Sequence, residues 1–273
     1  DYVIHLAAYV GGLFKNMKYK VDMYEKNTLI NYNVLKCSHD TGVKKVISCL
    51  STCIFPDKTS YPINEKMLHD GPPHFSNDAY AYSKRMLEIH SKAYQEQFGD
   101  NFICVIPTNI YGENDNYSLE DGHVIPALIH KCYLAKEKGE KFIVKGSGKP
   151  LRQFIYSLDL ARLMMWVLES YHEKESIILS VNEKDEISIE DVATMIAKEF
   201  DKIDTPESKD ISQILVRSTI LHGKLTELIH YAQDPKSDKG AEISVLEKKE
   251  INEAITDLEN KIMKIKMTID TKF

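Results

Sequence analysis

The strongest constraint on this chain is a series of short apolar runs without polar alternation, separated by helix-length stretches. Tyr2-Val3-Ile4-His5-Leu6 opens the series, and the segments 46–52 and 102–106 continue it. A strand with one wet face alternates apolar and polar residues, so an unbroken apolar run marks a strand covered on both faces. Between the runs lie helix-like stretches at 21–39, stopped by Gly42, and at 78–98. Strand, helix, strand, helix, strand in this order predicts an α/β fold with a doubly wound parallel sheet.

Further along, helices are predicted at 125–138, 158–171 and 189–200, and short strands at 142–145 and 177–181. This mixture reads as a smaller region at 115–202 following a sheet domain at 1–114. From residue 203 the pattern changes. Apolar residues recur at steps of three and four (Ile211, Ile214, Leu221, Leu225, Leu228, then Ile251, Ile255, Leu258, Ile262, Ile265, Ile269), with Pro235 and Gly240 between the two blocks. Heptad spacing interrupted by such a turn predicts a helical hairpin over 203–273, or two amphipathic helices packed on the first domain.

Charge and composition exclude some roles. A net charge of −6 and a pI near 6.0 provide no general attraction to nucleic acid or to an anionic membrane. No apolar run approaches the roughly 20 residues of a membrane span. The five cysteines form no CxxC pair, which argues against a disulfide framework or a zinc knuckle and for a reducing compartment, so a cytoplasmic location is expected. Residue 1 is Asp, and a strand follows at once. The natural N-terminus is therefore expected upstream.

Tyr80 and Lys84 lie one helical turn apart, as do Tyr32 and Lys36. An ammonium one turn from a phenol is expected to lower its pKa and equip it for proton transfer to a carbonyl oxygen. Only the Tyr80 pair follows a predicted strand with a hydroxyl near its end, Ser51, which suits an oxygen developing negative charge. On spacing alone, the Ser51, Tyr80, Lys84 set stands level with a structural reading. Cys53 and His123 have pKa values suited to acid–base work, but taken alone they read as a core cysteine and a surface or capping histidine. Gly146-Ser147-Gly148-Lys149-Pro150-Leu151-Arg152 reads as a flexible loop, in which Arg152 is the better bidentate donor to a diphosphate.

Several segments resemble the GDP-L-fucose synthases, reductase-epimerases of the extended short-chain dehydrogenase class. They are His5-Leu6-Ala7-Ala8-Tyr9-Val10-Gly11-Gly12, Ser51-Thr52-Cys53-Ile54-Phe55-Pro56, Tyr80-Ala81-Tyr82-Ser83-Lys84, Pro107-Thr108-Asn109-Ile110-Tyr111-Gly112, Gly122-His123-Val124-Ile125-Pro126-Ala127 and Arg152-Gln153-Phe154-Ile155-Tyr156-Ser157-Leu158-Asp159. The resemblance runs from residue 1 to about 201. It implies a partial Rossmann-like sheet with a substrate-binding region after it. It also implies NADPH-dependent 4-reduction and 3,5-epimerisation of GDP-4-keto-6-deoxy-D-mannose, and a homodimer.

The resemblance assigns Cys53 and His123 to epimerisation, and Tyr80, helped by Ser51 and Lys84, to proton donation. Cys49, Leu50, Ser51, Thr52, Lys84, Pro107, Thr108, Asn109, Ile110 and His123 become cofactor contacts, and Lys131 and Arg152 substrate contacts. Three departures accompany it. The family's first strand and glycine-rich pyrophosphate turn are not in this sequence, which opens roughly 70–80 residues later than that strand. Lys145 stands where a tryptophan is expected, and residues 203–273 do not match. These departures leave an alternative: an inactive homologue that acts as an interaction protein through the hairpin.

Overall fold

A computed structural model describes residues 1–202, so the predicted hairpin at 203–273 lies outside the described residues. Four parallel strands, β1 (Tyr2–His5), β2 (Lys45–Cys49), β3 (Phe102–Pro107) and β7 (Ile177–Leu179), form the main sheet in the order β1-β2-β3-β7. Helix α2 (Lys20–Asp40) connects β1 to β2, and α3 (Asp78–Phe98) connects β2 to β3. A six-residue helix, α1 (Leu13–Lys18), precedes α2.

The unbroken apolar runs work as the pattern requires. Val46, Phe102, Cys104 and Ile106 pack with Leu35 of α2 and Leu87 of α3 on one face of the sheet. Their neighbours Ile47, Ile103 and Val105 point the other way, against Leu160, Met164 and Val167 of α5 (Ser157–Ser170). Successive side chains of one strand thus feed two cores, and neither face needs polar residues. Helix α3 stops where Gly99 takes φ +76°, a left-handed conformation that costs glycine least, with its N–H on the Gln95 carbonyl.

The sequence missed several short pieces. β4 (Asn109–Tyr111) pairs in parallel with β6 (Phe154–Tyr156), and β5 (Leu151–Arg152) pairs antiparallel with β8 (Ile187–Ser188). Two or three residues are too few to show a period. The strand predicted at 142–145 does not form, since that stretch is irregular and Ile143 is exposed. The described residues cluster into two units. One holds Asp1–Gly112 and Lys145–Val192, with the main sheet. The other holds Glu113–Val144, including α4 (Val124–Lys138), together with residues from Ala193 in the latter part of α6 (Ile189–Lys202).

Lys45 opens β2 with its side chain buried. Its Nζ donates to the carbonyls of Val167 at 2.5 Å, Tyr171 at 2.7 Å and Leu168 at 3.1 Å. Terminal helix carbonyls lack internal partners and carry partial negative charge, so this cation satisfies the end of α5 and complements its dipole. Lys45→Met is expected to cost about 2–3 kcal/mol, read as a lower urea midpoint at unchanged slope. An unchanged midpoint would mean that water replaces the amine freely.

Candidate active site

In an open parallel sheet, ligands bind beyond the carboxyl ends of the strands. The resembling segments at 5–12, 51–56 and 107–112 leave those ends. β2 stops at Cys49, three residues before the predicted strand end at Thr52. Leu50 still donates to the Val105 carbonyl at 2.8 Å. The chain then winds into a 3-10 turn, Thr52–Ile54, with Ser51 as its extended leading residue. Ile54 N–H bonds the Ser51 carbonyl and Phe55 N–H the Thr52 carbonyl, each at 3.2 Å. Ser51 and Cys53 therefore sit in a tight turn, which sets their side chains by local hydrogen bonding.

Tyr80 and Lys84 project from the first turns of α3 toward that turn. Lys84 is 2% exposed, its Nζ donates to the Cys49 carbonyl at 2.7 Å, and it lies 5.9 Å from the Tyr80 ring centroid. The expected lowering of the Tyr80 phenol by Lys84 does not occur. Burial, reinforced by the Cys53 and Cys49 thiols, pushes the hydroxyl well above its ordinary value and keeps it protonated. Burial also pulls the Lys84 ammonium down, against the opposing influence of the Cys49, Cys104 and Cys53 thiols. Burial raises the Cys53 thiol, while a hydrogen bond with Ser51 and the charges of Lys84 and Arg85 pull it back. Cys49 is likewise raised by burial and lowered by Lys84. Ser51, Cys53, Tyr80 and Lys84, with Cys49 behind them, thus form one cluster. Tyr32 and Lys36, by contrast, lie on the helix surface: Tyr32 is 48% exposed and Lys36 pairs with Asp40 at 2.7 Å.

A buried polar stripe on α2 went unnoticed in the sequence. Asn27 accepts from Tyr9 N–H at 2.8 Å and donates to the Tyr9 carbonyl at 2.9 Å, holding the segment after β1 as a neighbouring strand would. Asn31 Oδ1 accepts from His5 Nε2 at 2.9 Å, and burial lowers the His5 imidazole, keeping it neutral. The signal was available as polar residues recurring every four positions on the otherwise buried face of α2.

Thr108 follows β3; its hydroxyl is buried without a hydrogen-bond partner, beside the buried Pro107. Asn109 Nδ2 donates to the Gln153 carbonyl at 2.9 Å, while Ile110 is exposed at 39% in β4. The loop at 146–152 is less free than its composition suggests. Glu190 N–H bonds the Gly148 carbonyl at 3.0 Å, and a Cβ on Gly148 would meet Glu190 Cβ at 2.9 Å. Arg152 is exposed, with Nη1 on the Leu151 carbonyl at 2.7 Å. Lys145 is exposed as well.

His123 and Lys131 belong to the second unit. His123 is the residue before α4, with Nδ1 3.5 Å from Asp115 Oδ1, and Lys131 is half-buried on the helix. A hydrogen bond with Asp115 raises the imidazole, burial opposes it, and the Asp115 charge adds to the rise. Because the folded value is raised, this pair's contribution to stability is complete below the unfolded histidine value, near 6.5, and is lost as pH rises through the folded value. Asp115→Asn is expected to bring the His123 titration down, followed by NMR of its ring protons. A titration unmoved by the substitution would remove Asp115 as the cause.

A profile of the NAD dependent epimerase/dehydratase family matches residues 1–181. The chain is 60% identical over 197 residues to a GDP-L-fucose synthase of Dictyostelium discoideum, covering 72% of this chain and 62% of the relative. It is 53% identical to a probable GDP-L-fucose synthase of Drosophila melanogaster, covering 73% and 64% respectively. The crystal structure of a GDP-L-fucose synthetase from Naegleria fowleri bound to NADP aligns with TM-score 0.70 and 56% identity, over 73% of this chain and 61% of that one. The chain therefore spans under two-thirds of the length of these relatives.

Proposed function

Since this chain belongs to the NAD dependent epimerase/dehydratase family, we propose that its protein converts GDP-4-keto-6-deoxy-D-mannose to GDP-L-fucose by 3,5-epimerisation and NADPH-dependent 4-reduction. The observation that carries this reading is the cluster of Ser51, Cys53, Tyr80 and Lys84 at the carboxyl end of β2, in a chain 60% identical to one such synthase.

The residues present fit the nicotinamide-ribose portion of NADPH. Lys84 spends one of its three donors on the Cys49 carbonyl and keeps two for ribose hydroxyls, and the Thr108 hydroxyl is buried without a partner. Cys49, Leu50, Ser51, Thr52, Pro107, Asn109, Ile110 and His123 complete the proposed cofactor contacts, and Lys131 and Arg152 would hold the nucleotide sugar. When bound, the cofactor supplies a hydride to carbon 4.

The side chains do the rest. Protons on carbons 3 and 5, adjacent to the ketone, are acidic. One of the pair Cys53 and His123 removes such a proton, and the other returns one to the opposite face, inverting the centre. Ser51 donates a hydrogen bond to the 4-keto oxygen as charge builds there. Tyr80, kept protonated by burial, delivers its proton to the same oxygen, completing the alcohol. Residues 1–114 would supply most of the proposed cofactor contacts, and 115–202 the proposed contacts Lys131 and Arg152 to the nucleotide sugar. We further propose a homodimer working in the cytosol; Tyr24, Tyr32, Tyr82 and Ile89, exposed on α2 and α3, supply apolar surface for it.

The test incubates the purified protein with NADPH and the 4-keto sugar, and reads nicotinamide oxidation together with the product by NMR. A reduced product that keeps the substrate's configuration at carbons 3 and 5 would replace this reading with a simple 4-reductase. Recovery of the sugar unreduced, with NADPH unconsumed, would sink the reductase reading. The interaction-protein alternative rests on residues 203–273, outside the described residues.

A further inference from the structure

Lys84 and Arg85 are adjacent on α3, and both are buried, at 2% and 4% exposure. Each donates to a carbonyl of the same short segment: Lys84 Nζ to Cys49 at 2.7 Å, and Arg85 Nε to Ile54 at 2.6 Å. Cys53 lies between those two anchor points. A buried charge is costly unless paired, yet among the described residues neither cation forms an ion pair with a carboxylate. Arg85 keeps a further donor, Nη2, buried without a partner, while the Tyr82 ring lies 5.6 Å from its guanidinium carbon. Among the described residues, two buried positive charges thus have no carboxylate paired with them.

We propose that Arg85 is a positioning residue for Cys53: it fixes the 3-10 turn through the Ile54 carbonyl and supplies the counter-charge for a thiolate at Cys53. The role deepens the function proposed above, since it matters to turnover only if Cys53 exchanges a proton with substrate. Four groups face Cys53: Ser51 from the head of its turn, and Tyr80, Lys84 and Arg85 from α3. Of these, the two cations and the Ser51 hydrogen bond favour the thiolate, against burial. Arg85 is also the cation that holds the turn itself, so its loss removes geometry and charge together. A guanidinium suits this position because it cannot lose its proton and its donors leave in fixed directions.

Alkylation of Cys53 with iodoacetamide tests the idea without any turnover. The thiolate sulfur attacks the reagent's carbon and iodide leaves, so the pH dependence of the rate follows the thiolate fraction. Cys49 and Cys53 fall in one tryptic peptide, residues 46–58, and fragment-resolved mass spectrometry separates them; exposed Cys37 is the internal control. Arg85→Met is expected to move the Cys53 midpoint to higher pH and to slow alkylation below that midpoint by about tenfold. Arg85→Gln, which keeps a donor for the Ile54 carbonyl, is expected to move the midpoint the same way and tests the charge if the Met variant fails to fold. Arg85→Lys should keep the midpoint near that of the unmodified protein. A midpoint unchanged in the folded Gln variant, or in the folded Met variant, overturns the proposal. If the unmodified protein shows no epimerisation while these shifts appear, the functional reading fails and the Arg85 assignment stands.

Discussion

Tyr80→Phe is expected to lower the rate of 4-keto reduction by roughly 10²–10⁴-fold, the usual range for loss of a general acid. The substitution removes one oxygen from a half-buried ring and leaves the packing of α3 in place. Burial holds the phenol protonated; Ser51 only hydrogen-bonds the keto oxygen and Lys84 is assigned to the Cys49 carbonyl and the ribose hydroxyls, so neither is expected to replace Tyr80 as the acid. The measurement is single-turnover NADPH oxidation with the 4-keto sugar. A rate within threefold of the unmodified protein would remove Tyr80 as the donor. The variant is expected still to exchange protons at carbons 3 and 5, because the proposal assigns those steps to Cys53 and His123.

Cys53→Ala is expected to produce the complementary defect. Exchange of solvent deuterium into the sugar should fall by roughly 10²–10⁴-fold, read by NMR of the recovered substrate without NADPH. Alanine is smaller than cysteine and leaves the 3-10 turn to its backbone hydrogen bonds and to Arg85 on the Ile54 carbonyl. Undiminished exchange would move the first base elsewhere. Taken together, the Tyr80 and Cys53 variants separate reduction from inversion; a common loss of both in each variant would instead indicate damage to binding.

Much of this was legible in the linear pattern. The apolar runs at Val46-Ile47 and at Phe102 to Ile106 fill two cores at once, so their lack of alternation directly reflects the architecture. Helix α3 falls on the predicted residues, 78–98. The strand end was misplaced because Leu50, Ser51 and Thr52 continue the apolar and β-branched composition of β2. The competing bonds from Ile54 N–H to the Ser51 carbonyl and from Phe55 N–H to the Thr52 carbonyl turn the chain. The pairs β4–β6 and β5–β8 escaped for a different reason: each strand is too short for a period and is held by a partner tens of residues away.

The sequence by itself determined the parallel sheet and the helix carrying Tyr80 and Lys84, because periodicity is a local property; which side chains move protons was an expectation that came from the resemblance. Tertiary structure alone decided their electrostatic state. Lys84 donates to the Cys49 carbonyl, Arg85 reaches back to Ile54, and Asn27 and Asn31 stitch α2 to the segment after β1 and to His5. Each of these facts depends on burial and on partners distant in the chain, and burial sets the cost of a charge. No reading of spacing contains that term.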